Sequence, residues 1–502
     1  MSKKRRKKQD SLLPEGHPKP LTRRQFISHG LVEGAGIIVV PSVLDFALRA
    51  GTAMGSECSG DGPLAGDDPN YVACIIIDDV GGRHDRGLAA VDRNGDFLSH
   101  YDKLGLGTGN SHLTGKMVKP GNWKGPWVHQ DSEIYQSLFG LDATGARDAN
   151  VPSSQLLGAT TLASTAAFLL MGKSNDDTGT NPFNTAYLCS QIAGNAAVQQ
   201  MGTSNKLSGG NSRSVGSSPG RSIRVSENKD VENAVRGMSF GSYSTSQRES
   251  FLRAWSRMGG TAMKAFLNLD NHEQMSGLLD CAGAKIRANA ASVVPNPLQD
   301  ADVQQAFKVT AATNPRSVEA RQATLAYHAL AGKITTAVTI EIAGCDVHDG
   351  TATKNESAQR RSWSLVRNIL KLAELKGRRV MIQRISDGSA STREGLAGTD
   401  PGAIEYPKEN GRVATNTVIA YDPQGKIDLI DDNPYLGYFK ASANDQSAST
   451  DPDNPIANEV NHGLALALAY YSLHPNGIDL WKQIPGTQGI SVNSVLRLVK
   501  RS

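Results

Sequence analysis

A β-prone run, an amphipathic helix and a second β-prone run between residues 334 and 385 constrain the fold most. Residues 334–342 alternate Thr with Ile and Val and end in Gly344-Cys345-Asp346-Val347-His348. Residues 356–376 have helical periodicity, and residues 379–385 lead into Ser386-Asp387-Gly388. Strand, helix and strand in this order are typical of a βαβ unit with parallel strands. The pattern therefore predicts an α/β fold with polar groups gathered where the strand C-termini meet.

Residues 71–77 are predicted to form the first strand of the domain. This continuous apolar run ends in Asp78-Asp79 and then Gly81-Gly82, the pattern of a buried parallel strand that opens into a loop. Further helices are predicted at residues 156–171, 246–258, 303–330 and 461–472, and a long surface loop that includes Trp123 at residues 105–127. A Gly- and Ser-rich flexible excursion is predicted at 202–230, followed by a helical insert at about 231–330.

Charge is concentrated in the first residues of this 502-residue chain. Residues 1–24 carry nine Lys or Arg against two acidic residues, an excess larger than the formal net charge of +4 of the whole chain. The rest is close to neutral and lacks the basic footprint of nucleic-acid-binding proteins, so we expect no nucleic-acid partner. No apolar run outside the leader is long enough to span a bilayer, so we expect a soluble mature chain.

The N-terminal segment Leu21-Thr22-Arg23-Arg24-Gln25-Phe26-Ile27-Ser28 resembles a twin-arginine export signal. An apolar stretch at residues 34–48 follows it, so we assign residues 1–54 to the signal and residues 55–502 to the mature domain. The resemblance implies transport by the twin-arginine translocase to the periplasm or beyond, with cleavage or with a retained N-terminal membrane anchor. The alternative is an arginine pair in an ordinary amphipathic helix.

The five cysteines, Cys58, Cys74, Cys189, Cys281 and Cys345, form no CxxC or zinc-type cluster. Export after folding implies folding in a reducing compartment, so we expect a fold that does not depend on disulfides.

Acidic and imidazole groups recur at the predicted strand ends. Asp346 and His348 stand two apart, so in extended backbone both side chains point to one side and can chelate a divalent metal. Asp387 follows the next strand, and Asp79 and Asp85 follow the first. The alternative is a set of ordinary polar loop residues.

These residues form an ordered set that is similar to the motifs of a bacterial protein family. Gly81-Gly82 with Asp85, Ser111-His112-Leu113, Gly344 to His348, Ser386-Asp387-Gly388 and Gly398-Thr399-Asp400-Pro401-Gly402 resemble GGxDG, SHF, GWDTH, SEFGR and GTDHG. These are motifs of a poorly characterised family of twin-arginine-exported proteins related to sulfatases. The resemblance spans roughly residues 70–405 and implies an alkaline-phosphatase-like fold with a doubly wound, mostly parallel sheet.

The resemblance also implies one or two metal ions, Zn²⁺, Mg²⁺ or Ca²⁺, that polarise a phosphate or sulfate ester. The ligands it implies are Asp79, Asp85, Asp346, His348, Asp387 and Asp400. The chain departs from the family at Pro401, where the motif has a histidine, and at Gly388-Ser389-Ala390, where it has Phe-Gly-Arg. One imidazole and one guanidinium are thus missing from the family's site.

Three hypotheses follow. The first is a periplasmic metal-dependent hydrolase that acts on a small anionic ester. The second, favoured by the degraded fifth motif, is a non-catalytic relative that binds an envelope partner and takes part in assembly. The third is an unrelated exported α/β protein whose strand ends are merely polar.

Overall fold

The computed structural model describes only part of the chain. All described residues belong to the larger of two compact units, Asp61–Phe251 with Ile286–Ser502. The described residues are 65–83, 85, 87–98, 117–142, 144–173, 186, 189–190, 200–203, 223–236, 294–346, 352–394, 404–409, 414–441, 448–454, 456, 461–474 and 496–500.

The strands and helices alternate along much of the chain. The strands are β1 (Val72–Arg83), β2 (Met117–Val118), β3 (Val128–His129), β4 (Thr165–Gly172), β5 (Gln200–Gly202), β6 (Ile223–Arg224), β7 (Ala337–Ile342), β8 (Arg379–Glu394), β9 (Ile404–Glu409), β10 (Ala414–Tyr421), β11 (Ile427–Leu429), β12 (Tyr435–Leu436), β13 (Phe439–Ala441), β14 (Ala448–Thr450) and β15 (Leu498–Lys500). The helices are α1 (Glu133–Phe139), α2 (Ala159–Ala163), α3 (Asn228–Arg236), α4 (Ala301–Phe307), α5 (Val318–Ala331), α6 (Ala352–Lys376) and α7 (Asn461–Leu473).

The fold is α/β, with a mixed but mostly parallel central sheet. Its strands lie in the order β12-β4-β10-β8-β1-β7-β5-β6, and β9 pairs with β8 off this path. Neighbours along the path are parallel except around β10, which runs antiparallel to β4 and β8. The predicted α/β class and mostly parallel sheet are confirmed.

The predicted βαβ unit consists of β7, α6 and β8, but its strands are not neighbours. β1 lies between them and pairs in parallel with both. β1 and β7 consist mostly of apolar residues, and Val72 to Ile77 are fully buried, as expected for interior strands of a parallel sheet. The first strand thus lies between β7 and β8, and it continues past the end of β7 alongside β8.

Helix boundaries follow local capping signals. In α5 the Ser317 side chain accepts a hydrogen bond from the Ala320 amide, and Gly332 ends the helix with a φ of 65°. The prediction at residues 303–330 corresponds to α4 and α5, and the one at 461–472 corresponds to α7. The predicted helix at 246–258 lies outside the described residues.

The helix predicted at residues 156–171 is wrong. The structure has the five-residue helix α2 and then strand β4, in which every residue is buried. Ala and Leu favour helices, but a short apolar run suits an interior strand equally well, and pairing with β10 and β12 decides between them. The predicted surface position of Trp123 is also wrong, because its ring is buried against Phe139 at a centroid distance of 5.3 Å.

The remaining organisational predictions fall partly on described residues. Within 202–230, residues 204–222 lie outside the described part. The described remainder includes the last residue of β5, strand β6 and the start of α3. Within 231–330, α5 packs against β1 and β7, so it covers the central sheet. The signal at 1–54 lies outside the described residues. Among the described helices, none combines the length and apolar character needed to cross a membrane.

Candidate functional site

The C-terminal end of β7 lies beside the second half of β1 and the middle of β8. The predicted strand ends after Ile77 and Ile385 are wrong, because β1 and β8 stay paired past these residues, and β1 runs to Arg83 and β8 to Glu394. Asp79 of β1 is in register with Ile342 of β7 and with Ser386 of β8. The register of β1 against β8 then shifts between Asp79 and Gly82, and β1 continues to Arg83. This extension brings Arg83 and Asp85 to the edge of the sheet where β7 ends.

Four charged side chains form a buried ion cluster at this edge, composed of Asp79, Arg83, Asp85 and Arg384. Arg83 Nη1 lies 2.8 Å from Asp79 Oδ2, and Arg83 Nη2 lies 3.2 Å from Asp85 Oδ2. Arg384 Nη2 lies 2.9 Å from Asp79 Oδ2, and Arg384 Nη1 lies 3.1 Å from Asp85 Oδ1. Each arginine therefore bridges both aspartates.

Helix α6 and strand β10 complete the hydrogen bonding of the ion cluster. Ser362 of α6 donates to Asp79 Oδ2 at 3.1 Å and accepts from Arg384 Nε at 2.8 Å. Thr415 of β10 donates its hydroxyl to Asp85 Oδ2 at 2.8 Å. The indole ring of Trp363 lies 4.1 Å below the Arg384 guanidinium carbon. Elements far apart in the chain thus hold the four charges in place.

The ion cluster is electrically balanced and closed to solvent. Two guanidinium groups offset two carboxylates, and the four residues are at most 3% exposed. Burial alone would raise the pKa of Asp85, but the charges of Arg83 and Arg384, with hydrogen bonds from Arg83 and Thr415, hold it well below its usual range. Burial lowers the pKa of Arg83, and the charges of Asp85 and Asp79 more than reverse this. The pKa of the Asp85 carboxyl and the pKa of the Arg83 guanidinium are therefore both shifted in favour of the charged form.

One atom of the ion cluster is left without a partner. Asp79 Oδ2 accepts from three side chains, whereas Asp79 Oδ1 is buried and has no hydrogen-bond partner among the described residues. An orphaned carboxylate oxygen is the one feature of the ion cluster that suits a bound water or cation.

The other predicted ligands are distributed around this edge. Asp346 follows β7, and its backbone lies so close to Gly81 that a Cβ at residue 81 would approach the Asp346 Cα to 2.4 Å. Asp387 lies within β8. His348 and Asp400 fall outside the described residues. The structure therefore brings Asp79 and Asp85 together and sets the Asp346 backbone against β1.

The described residues offer few side chains that could bind a metal ion. No group of three or more His, Cys, Asp or Glu side chains with metal-binding geometry occurs in the described part of the chain. The Asp79 and Asp85 carboxylates are bound by guanidinium groups, which a divalent cation would have to face at close range. The predicted metal site remains a prediction.

Two residues central to the site, Arg83 and Arg384, were not predicted as functional. The available signal was the position of Arg384 in the mostly apolar run Val-Met-Ile-Gln-Arg-Ile, because a charge in an interior strand must find a partner. The sequence gives no indication that the partners are Asp79 and Asp85.

The fold and the site together define an α/β protein with a mostly parallel sheet and a neutralised ion cluster at its strand ends. Comparison of the chain with protein-family models, with curated proteins and with solved structures finds no match.

Proposed function

We propose that this chain is an exported protein of the bacterial cell envelope that acts by binding or assembly and does not catalyse a reaction. The observation that carries the proposal is the ion cluster, in which both arginines bridge both aspartates in a buried position. In a metal-dependent hydrolase, carboxylates at these positions would bind the metal ion. In this chain they neutralise guanidinium groups instead. Carboxylates paired in this way support a structural role for the ion cluster.

The proposed architecture is alkaline-phosphatase-like and doubly wound. It is supported by the mostly parallel sheet, by the polar groups at neighbouring strand ends, and by helices α6 and α7, which both pack against β8. Fold and activity are separate matters, since a scaffold used by hydrolases also carries relatives that bind without turnover.

The sequence departures support the absence of turnover. A proline follows Asp400 where the resembled family has an imidazole, and Gly388-Ser389-Ala390 replaces the segment that carries an arginine. A metal-dependent ester hydrolase requires ligands for the ion and a group that holds the anionic ester. This chain lacks one candidate metal ligand, the imidazole, and one candidate group for holding the ester, the arginine.

The alternative is a metal-dependent phosphate or sulfate ester hydrolase of the periplasm. Two observations favour it, namely the orphaned Asp79 Oδ1 and the position of the Asp346 backbone against Gly81 at the strand ends. If Zn²⁺, Mg²⁺ or Ca²⁺ binds, Asp79 and Asp346 are described residues that would help to hold it. The ion would supply charge stabilisation to an ester oxygen.

Elemental analysis of the folded, exported protein separates the two functions. We expect well under about 0.1 equivalent of metal per chain, and the same thermal midpoint with and without EDTA. Cross-linking in intact envelopes should capture one stable partner, equally with wild type and with the Asp346→Ala/His348→Ala variant. About one equivalent of metal that is lost in this variant would overturn the proposal and support the hydrolase.

A further inference from the structure

Two of the described cysteines lie against each other in the core. Cys74 is on β1, in register with Ala337 of β7 and Met381 of β8, and Cys189 lies between β4 and β5 in the sequence. Both side chains are fully buried, and both thiols are free. The Cys189 thiol is within hydrogen-bonding reach of the Cys74 thiol. The fold therefore brings together two sulfur atoms from distant parts of the chain.

The surroundings hold the two thiols in place. Tyr470 of α7 is fully buried close to both of them, and its hydroxyl donates to the Val72 carbonyl of β1 at 2.7 Å. Cys74 belongs to an interior strand of the central sheet, which fixes its backbone. A disulfide requires two side chains that face each other and whose sulfur atoms can approach with little backbone movement. The contact between Cys74 and Cys189 provides this arrangement.

We propose that Cys74 and Cys189 form an intramolecular disulfide when the folded chain meets an oxidising compartment. The inference rests on the proposed export for the compartment, and on the contact between the thiols for the pairing. The oxidant is itself a disulfide, either a small molecule such as oxidised glutathione or a protein thiol oxidase.

The exchange is balanced in atoms and electrons. One cysteine attacks the S–S bond of the oxidant, forms a mixed disulfide and releases one thiol. The other cysteine attacks the protein sulfur of the mixed disulfide, which forms the Cys74–Cys189 bond and releases the second thiol. Two protons and two electrons thus pass from the two cysteines to the oxidant, which is reduced from a disulfide to two thiols.

Burial makes this reaction slow in the native state. Burial, together with the contact with Cys74, raises the pKa of the Cys189 thiol, and the thiolate is the reactive form. The oxidant therefore reaches the sulfur atoms only when the core around them opens transiently. The bond then joins β1 to a distant segment, and closure of a long loop removes entropy from the unfolded chain. We expect oxidation to follow folding and to stabilise the protein.

Peptide mapping of the purified full-length protein tests the proposal. The reduced, folded protein is incubated with oxidised glutathione at urea concentrations below the unfolding transition, and is then denatured and alkylated for mass spectrometry. We expect the peptides of Cys74 and Cys189 to be the main linked species and to become linked faster as urea is added. The thermal midpoint should rise by about 5 °C.

Two variants make the test specific. Cys189→Ala should abolish both the linked species and the rise in thermal midpoint. Cys345→Ala is the matched control, because Cys345 is equally buried but its thiol donates to the Ile342 carbonyl at 3.3 Å. Linkage of Cys74 to Cys189 should be unchanged in this control.

The proposal is overturned if Cys74 and Cys189 are both alkylated after the incubation, or are linked mainly to other cysteines or to glutathione. Refolding from full denaturation in the same oxidant removes the barrier of burial. A pair that stays reduced there as well cannot bond, and a bond that appears only there does not form in the folded chain. Protein purified from the cytoplasm serves for all these measurements, so failure of the disulfide is distinguishable from failure of export, which cell fractionation detects.

Discussion

Arg384 illustrates at the scale of one residue how strongly the ion cluster depends on complete pairing. Its guanidinium contacts Asp79, Asp85, Ser362 and Gln359 and stacks on an indole ring, all without exposure to solvent. Charges buried in this way contribute little net stability as a set, but removal of one partner leaves an uncompensated charge in a low-dielectric region.

Arg384→Ala should therefore lower the free energy of unfolding by about 3–5 kcal/mol, measured by urea denaturation at pH 7. Arg360→Ala is the control, because Arg360 also makes two bonds of 2.7 Å to one carboxylate, that of Glu133, but its side chain is 62% exposed. We expect a loss of at most about 1 kcal/mol there. Equal losses of unfolding free energy in Arg384→Ala and Arg360→Ala would show that burial of the Arg384 ion pairs adds no cost to their removal.

His328 makes stability depend on pH. It lies on α5, is fully buried, and has Nε2 2.9 Å from Asn228 Oδ1 while Nδ1 has no partner among the described residues. Burial lowers the pKa of His328 to about 3. The native side chain is thus neutral at pH values where the unfolded chain, with a pKa of about 6.5, takes up a proton.

The stability that neutral His328 provides is complete above about pH 6.5 and is lost as the pH falls towards the native pKa. The free energy of unfolding should decrease by up to about 1.4 kcal/mol per pH unit between pH 6 and pH 4.5 because of this residue. Denaturation of wild type and His328→Gln across this range measures the effect. Parallel pH profiles would contradict the assignment.

At the scale of elements, the end of β1 determines the geometry of the site. Gly81 has a φ of 104°, and its missing Cβ allows the backbone of Asp346 to approach from the end of β7. Only glycine combines this backbone conformation with such a close approach. The strand can therefore continue past Asp79 and deliver Arg83 to the ion cluster.

Gly81→Ala should cost more than about 2 kcal/mol of unfolding free energy, because strain at positive φ and a clash with backbone add together. Gly95→Ala isolates the first effect, since Gly95 has a φ of 86° but nothing within 4 Å of its missing Cβ. We expect about 1 kcal/mol for Gly95→Ala. If Gly81→Ala lowered the free energy of unfolding no more than Gly95→Ala, the backbone at Asp346 would move to accommodate the new Cβ without an energetic cost.

At the scale of the whole molecule, the proposed function depends on export. The basic leader and the Arg23-Arg24 pair resemble a signal that the twin-arginine translocase recognises. Such recognition would require the two arginines themselves, whereas a general requirement for positive charge would also be met by lysines. A binding or assembly role in the envelope requires that the folded chain cross the inner membrane.

Replacement of Arg23-Arg24 by Lys-Lys keeps the charge and should retain the chain in the cytoplasm, as measured by cell fractionation and immunoblotting. The same replacement at Arg5-Arg6 is the control and should leave export unchanged. Export of both variants would contradict the twin-arginine assignment and favour the interpretation as an ordinary helix.

The sequence alone determined the α/β class, the first halves of β1 and β8, strand β7, and helix α6 between β7 and β8, but not the continuation of β1 to Arg83 and of β8 to Glu394. These features follow from local apolar runs and periodicity, which fix the state of a segment before it meets a partner. The strand state of β4 was decided by pairing with β10 and β12, which no local pattern encodes. Tertiary structure also decided the role of the carboxylates, because Asp85 meets Arg384 across 299 positions of the chain. A carboxylate at a strand end suits a metal or an arginine equally well, and only the fold determines which cation lies within reach.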